Sequence, residues 1–527
     1  MNRGGLVALG LVAVVATTPV AAQISATGSF MAYGEAYEHT GSGSAARPVN
    51  TGRINANLTL SLFHGLVSAP LTALISTDQV SFRQQINQIG VSPTYKGVTF
   101  HAGWFNPTYS TYTIADATVL GGGIDVAPGR LRAGALYGRA RKAVTPGFNV
   151  TSQAQWARWM TGGHVGYGDL NGSFLDLFVV RTEDKAGGID TVGVSFLPPV
   201  EATTVAGAKG QIGLAGQRVT LQVEAASARY TRQDTVSFTA VTAAAASGKL
   251  LYNAATWSFG VTSEYVGPGF TTLGNSGLAG DRLDVGLTGN AQLGGGKLSV
   301  RGMGGRRRNN LKDDLDATST QAIYSVGGSW QPSTTFGVDW QVANNVNNNK
   351  AKDDTSSIKN ITGVYNVTPH LSWRTGSVQH VLVVVGSIQR TQNTSPLSVT
   401  LLDTKTTLAV ATWTAAFPST LSFTATGTYT HVELDTLGAT TITTVTPGLG
   451  ATLFARKVQV QVQAQFMHAE NPGGQKETEV FPLAQLGYSV VPGQTLTLKS
   501  TVRHHTFTNT GSFDERIVSL QYSASLH

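Results

Sequence analysis

The chain has no cysteine. Disulfides, thiolate metal sites and cysteine nucleophiles are therefore excluded. Charge is scarce too: only 13% of the 527 residues are Asp, Glu, Lys or Arg. A disordered chain would carry more charge and fewer β-branched and aromatic residues. Long apolar runs are missing beyond the N-terminal segment. The longest, around Val381 to Val385, falls far short of the about 20 residues of a spanning helix. The net charge of +7 is mild for this length. Its cations are dispersed apart from Arg306, Arg307 and Arg308, so nucleic acid is not an expected partner. No linker or compositional break divides the chain, which favours one large repeated architecture over several unlike domains.

What is present is 61 glycines, abundant Thr, Ser, Asn and Gln, and an alternation of polar with apolar residues. Val458, Val460, Val462, Ala464 and Phe466 alternate with Gln459, Gln461, Gln463 and Gln465. Successive strand side chains point to opposite faces, so one face is apolar and the other all amide. Ile54 to Leu62, Arg218 to Ala225 and Leu496 to Arg503 behave in the same way. Many such stretches exceed ten residues. Globular strands run to about 5–6 residues, whereas a tilted membrane-spanning strand needs about 9–11. Length and two-faced patterning together predict strands with one side in lipid and the other in water.

The first residues read as an export signal. Arg3 supplies a positive start, Gly5 to Ala16 an apolar stretch too short to span a bilayer, and Val20-Ala21-Ala22 a small-residue cleavage site. The expected division is a cleaved segment, 1–22, and a single barrel domain, 23–527.

Turn signals recur at Gly65, Lys96-Gly97, Pro128-Gly129, Asn171-Gly172, Ala215-Gly216, Ser247-Gly248, Gly294-Gly295-Gly296, Gln331-Pro332-Ser333, Thr375-Gly376, Pro418-Ser419, Arg456-Lys457 and Pro492-Gly493. Glycine supplies positive φ and proline presets a turn. Longer polar connections lie between them, among them Ala143 to Ala154, Val266 to Gly280, Asn309 to Ala317, Asn345 to Ser357 and Glu470 to Glu477. The hairpin period is about 40 residues. Short turns at one end and long loops at the other describe an all-β, antiparallel up-and-down transmembrane barrel of about 26 strands, within a range of 24–26. An even count places both termini on the periplasmic side of an outer membrane. The stretch Lys185 to Ala202 is either one long loop or a hidden strand. A soluble propeller or β-solenoid would show blade signatures or a short rung period, and neither is present. Strand alternation from Ile24 leaves no place for a separate plug domain. Aromatic residues near strand ends, such as Tyr37, Trp104, Trp156, Trp159, Trp257, Tyr265, Trp330, Trp373, Tyr429 and Tyr488, suit the girdles of a barrel.

The last strand alternates Val518, Leu520, Tyr522, Ala524 and Leu526 with serines and a glutamine. It resembles the C-terminal signal read by barrel-assembly machinery, but ends Leu526-His527 without the final aromatic. The segments GVSPTYKGVTFHAGWFNPTYSTYT (90–113) and GGGIDVAPGRLRAGALYGR (121–139) resemble a region of uncharacterised, porin-like bacterial outer-membrane barrel proteins. These carry an NP-type turn before a PGxxRxxxxYGR hairpin. The resemblance covers about a tenth of the chain. It implies the barrel fold and the outer-membrane address, and no activity.

Catalytic patterns are missing. There is no G-x-S-x-G elbow. Gly294-Gly295-Gly296-Lys297 lacks the first glycine of a phosphate loop, and Leu298 stands where Ser or Thr is required. His504 and His505 are adjacent and face opposite sides of a strand. His468 with Glu470, or Asp313 with Asp314 and Asp316, make incomplete ligand sets. A barrel-embedded hydrolase would have to assemble its triad from distant strands. No enzyme and no cofactor are expected.

The expected function is a channel for small polar solutes. Its lumen-lining candidates are Arg218, Glu224, Arg301, Gln459, Gln461, Gln463, Lys499 and Arg503, since rings of charge and amide tune selectivity. The alternative is a scaffold or export barrel, or a structural outer-membrane protein without transport. A barrel of about 26 strands is wide enough to leak, so inward-folded loops, a lipoprotein or a periplasmic subunit should fill it. Outer-membrane lipid and the barrel-assembly machinery complete the expected partners.

Overall fold

The computed structural model describes residues 24–42, 47–62, 67–77, 88–115, 117–145, 154–189, 197–234, 237–353, 356–394, 403–435, 437–507 and 511–526. The N-terminal segment and the turn at Gly65 lie outside them.

The described residues form one antiparallel sheet that closes on itself. Strand Ile24–Gly41 pairs with Asn50–Leu62 on one edge and with the last strand, Gly511–Leu526, on the other; Gly28 faces Leu58 and Leu526. Closure leaves no sheet edge with unpaired backbone groups, the condition for strands to sit in lipid. Two of the 27 strand segments, Gln88–Val91 and Thr94–Tyr95, share one stave, so the wall has 26. That stave is broken at Ser92-Pro93, where proline has no N–H to donate.

The outer surface is apolar. In strand Phe174–Lys185 the outward Leu175, Leu177 and Val179 are about half exposed, while the inward Asp176, Phe178 and Val180 are buried. Repeated around the wall, this makes an apolar belt that water would solvate badly and lipid would cover. Aromatic residues edge the belt. Trp159 and Tyr167, Trp257 and Tyr265, and Tyr365 and Trp373 each stand eight residues apart on one strand. At about 3.3 Å per residue and a tilt of about 40°, that spacing spans about 20 Å, close to the about 25 Å band of a membrane barrel. Tyr37 and Trp156 are not in the girdles: both are buried, Tyr37 donating to Glu515 (2.7 Å) and Trp156 to the Pro198 carbonyl (2.7 Å).

The turn series holds with one displacement. Ser247 and Gly248 lie inside strand Phe238–Asn253, and the turn falls at 254–256, where the Ala254 N–H meets the Trp257 carbonyl (2.8 Å). Ser247 and Gly248 pair with Glu224 and Val223 on one side and with Glu264 and Ser263 on the other. A lone glycine held between two complete ladders does not end a strand. The connection expected over Asn345 to Ser357 is likewise mostly strand, since Phe336–Ala351 runs through its asparagines. Asn347 is paired with Gln321 and Asn360 on the two neighbouring strands, and ladder bonds on both sides outweigh the low strand propensity of asparagine. Phe174–Lys185 pairs directly with Val200–Leu214, so no stave stands between them in the wall; residues 190–196 of the stretch from Lys185 to Ala202 lie outside the described residues.

Candidate functional site: an inward segment on a charged row of the lumen wall

The wall's inner face is ordered in tiers. Along strand Phe174–Lys185 it reads Asp176, Phe178, Val180, Thr182, Asp184: ionic, apolar, hydroxyl, ionic. In the lower tier, Lys209, Glu224, Ser247, Glu264, Asp284 and Arg307 are successive register partners across six staves. The period-2 pattern of each strand brings every one of them inward. Arg307 is bidentate on Asp284 (2.7 and 2.8 Å), and Arg282 reaches Glu264 (2.6 Å). In the upper tier Arg158 holds Asp184 (2.7 Å) and Glu201 (3.0 Å), and Tyr230 donates to Glu201 (2.7 Å).

Between the tiers the inner wall is apolar, built of Phe178, Val180, Val205, Ala226, Ala228 and Ala245. Such a patch facing a wet lumen needs a cover. Segment 106–118, residue 116 aside, supplies it. The two strands flanking it, Val98–Phe105 and Val119–Val126, have only eight residues each. The chain leaves the wall early there and folds inward. Tyr112 and Ile114 are fully buried against the patch, and Tyr112 meets Phe270 edge-on (5.8 Å).

Polar contacts fasten the segment to the lower tier. The Ser110 hydroxyl donates to Glu224, the Tyr112 hydroxyl donates to Glu264 (3.2 Å), and Lys209 Nζ donates to the Tyr109 carbonyl. Connection 267–281 clamps it from the far side: Thr272 Oγ1 donates to the Thr113 carbonyl (3.1 Å) and Asn275 Nδ2 to the Thr111 carbonyl (2.8 Å). Residue 274 must be glycine, since a Cβ would lie 2.3 Å from the Thr113 oxygen. Burial raises the hydroxyls of Tyr109 and Tyr112 well above the usual phenol range, and the nearby carboxylates add to it. Both stay protonated at any ordinary pH, and Tyr112 keeps its bond to Glu264.

Below the segment, a cavity of about 540 Å3 is lined by Lys209, Glu224, Lys249, Glu264 and Asp284. Beside it a smaller one, about 270 Å3, is lined by Tyr109, His101, Asp125, Arg132 and His164. Here Ser92 Oγ lies 2.8 Å from His101 Nδ1, and His101 Nε2 lies 2.9 Å from Asp125 Oδ2. This is a Ser–His–Asp chain drawn from two strands and the break in a third stave, invisible to local motif reading. Its second carboxylate oxygen is taken by His164 (3.1 Å), and Ser92 does not line the cavity. The arrangement is a hydrogen-bonded brace on the wall.

The sequence-derived candidates scatter over this plan. Glu224 sits in the lower charged row and receives Ser110. Arg301 stands opposite Asn290, on the same face as Arg307. Gln459, Gln461 and Gln463 line a separate cavity of about 340 Å3 with Gln485 and Thr424. Lys499 is the register partner of Gln485 and Ser519. Arg503 is paired, to Glu479 (2.9 Å) and Glu515 (3.3 Å). Arg218 is on no stave; it closes the exposed turn after strand Val200–Leu214. His468 lies 3.5 Å from Glu470 as an exposed ion pair, and Asp313 holds Arg308 (2.6 Å). Sequence reading missed Lys209, Glu264, Asp284 and Arg307, along with the part played by Ser110 and Tyr112. The signal for the last two was the loss of alternation in NPTYSTYT between two short strands.

No family model and no curated protein matches this chain. Solved porins resemble it. Pseudomonas aeruginosa OpdK, determined with vanillate, matches at 11% identity and a TM-score of 0.32, over 68% of this chain and 100% of that one. A BenF-like porin from Pseudomonas fluorescens Pf-5 matches at 11% identity and 0.34, over 68% and 100%. Acinetobacter baumannii OccAB2 matches at 10% identity and 0.33, over 62% and 92%. The assignment of the wall as a closed barrel rests on its own register.

Proposed function

We propose that this protein is an outer-membrane channel for small polar solutes, narrowed on one side by segment 106–118. The observation that carries this is a closed wall with an apolar belt outside and, inside, a row of charges on which a folded-in segment is seated. Lys209, Glu224, Lys249, Glu264 and Asp284 would meet a passing solute, and fixed charges of both signs favour polar over apolar cargo. Arg301, the glutamines at 459, 461 and 463, Lys499 and Arg503 line the remaining lumen in this reading. No step of it requires catalysis.

Purified protein in planar bilayers should give discrete conductance steps. The double variant Ser110→Ala/Tyr112→Phe removes two of the segment's anchors, and its steps should be larger or noisier at unchanged folding. Silent bilayers with well-folded protein would reject the passive pore. A stoichiometric lipoprotein or periplasmic subunit that co-purifies and silences the pore would favour the partner-filled scaffold instead.

A further inference from the structure

Charged residues ring the outer face at its long-loop end, where Arg306, Lys350, Lys359 and Arg390 face outward outside any ion pair among the described residues and other cations are matched. Lys405 meets Glu433 (3.4 Å), Lys476 meets Glu470 (3.3 Å), and Arg516 stands 3.9 Å from Glu38. On the staves Leu131–Arg141 to Val219–Gln233, the outward face carries Arg139, Arg181, Lys185 and Arg229 against one carboxylate, Glu183, which Arg181 holds (2.7 Å).

Register places these cations together. Tyr137, Thr161, Arg181, Thr204 and Arg229 are successive partners across five staves, and Arg139 pairs with Trp159. Staves lie about 4.8 Å apart, so Arg181 and Arg229 are about 10 Å apart across Thr204. Long arginine side chains can converge on one group over that gap. Lys185 lies over the Trp159 ring (4.7 Å), and Trp159 stacks with Tyr137 (5.3 Å), which fixes the cluster at the aromatic girdle. The wall below is floored by small exposed residues, Ala206, Ser227 and Ala244, which are mutual register partners. The result is a floor of small residues in the lipid-facing belt under four cations, of which Arg139, Lys185 and Arg229 meet no carboxylate among the described residues.

We propose that this sector binds a phosphorylated glycolipid of the outer leaflet. Its phosphates would lie among Arg139, Arg181, Lys185 and Arg229, and its acyl chains would lie along the small-residue floor. Guanidinium groups match phosphate bidentately, and a headgroup at the girdle brings its charge to their level. The proposal rests on the reading of the belt as membrane-embedded.

The test uses full-length protein reconstituted in nanodiscs doped with lipid A, followed by native mass spectrometry of the released protein. Wild type should retain lipid A. Arg139→Gln/Arg229→Gln should lower retention by about twenty-five-fold, taking about fivefold per surface cation. Thr204→Glu, which places a carboxylate between Arg181 and Arg229, should lower it with every cation intact. Lys405→Gln, from a matched pair, should leave it unchanged. Wild-type retention by the double variant or by Thr204→Glu would overturn the proposal, as would equal retention of phosphatidylglycerol in place of lipid A. Failure of the wild type to insert would instead reject the membrane reading itself, and would be seen before any lipid is weighed.

Discussion

Arg132 reaches across an intervening strand to Asp176, 2.6 Å away, through a gap that exists because residue 166 is glycine. Gly166 is the register partner of both residues, and a Cβ there would lie 1.6 Å from the Asp176 carboxylate. The same device recurs one stave over. Gly134 stands between Asp125 and His164, and its absent Cβ leaves room for their contact. Glycine in these strands serves side chains that bridge two staves.

Gly166→Ala should therefore split the Arg132–Asp176 pair. Both side chains are largely buried, and breaking such a pair by deleting one partner costs about 3–5 kcal/mol. Arg132 keeps its bond to the Gly168 carbonyl (2.6 Å), so the expected loss is smaller, about 2 kcal/mol. Urea unfolding in lipid vesicles, followed by tryptophan fluorescence, measures it; an unchanged midpoint would show that the pair is not formed.

Alkaline pH should reveal the buried tyrosines. Burial raises the hydroxyls of Tyr109 and Tyr112, so the folded state favours the protonated form. Their contribution to stability is complete below the ordinary phenol value of about 10 and is lost as pH rises through the folded value. In the folded protein, phenolate absorbance at pH about 11 should fall at least two tyrosines short of the unfolded chain. Tyr109→Phe and Tyr112→Phe should each narrow the gap by one. A folded protein that ionises as fully as the unfolded chain would mean that segment 106–118 is not seated on the wall.

The short turns carry a correctable strain. Gly294, Gly295 and Gly296 take φ of 59, 65 and 88°, and the turn at 454–457 adopts similar values, 52, 53 and 69°, with Phe454, Ala455 and Arg456. A left-handed residue with a Cβ costs about 1–2 kcal/mol, and glycine returns about 0.5–1 kcal/mol of that in chain entropy. Ala455→Gly should raise stability by about 0.5–1 kcal/mol without altering conductance, as the unfolding midpoint and bilayer recordings would show.

The belt can be tested at its centre. Val179, midway between the Trp159 and Tyr167 levels, faces outward at 49% exposure. Val179→Arg should cost about 2–4 kcal/mol when folded into a bilayer. Leu170→Arg, in the short turn, should be close to neutral. Equal effects at the two positions would argue against a lipid-facing belt.

The sequence by itself determined the wall. Two-faced alternation such as Val458 to Phe466 needs no partner to be read, because the side-chain period of a strand is a local property of the backbone. Strand length, the Gly- and Pro-bearing turns and the even count follow from the same local chemistry, and even the turn displaced from Ser247 to Ala254 left the count of staves intact. The candidate site was much less legible. Lys209, Glu224, Glu264, Asp284 and Arg307 are spread over about a hundred residues, and only the register of five pairings sets them in one row. Segment 106–118 could be seen to leave the alternation, but where it lands depends on the apolar inner patch of Phe178, Val205 and Ala226, which comes from three separate strands. Arg218 was misplaced for the converse reason: alternation alone does not say where a strand stops, whereas the hydrogen bonds of the neighbouring staves do.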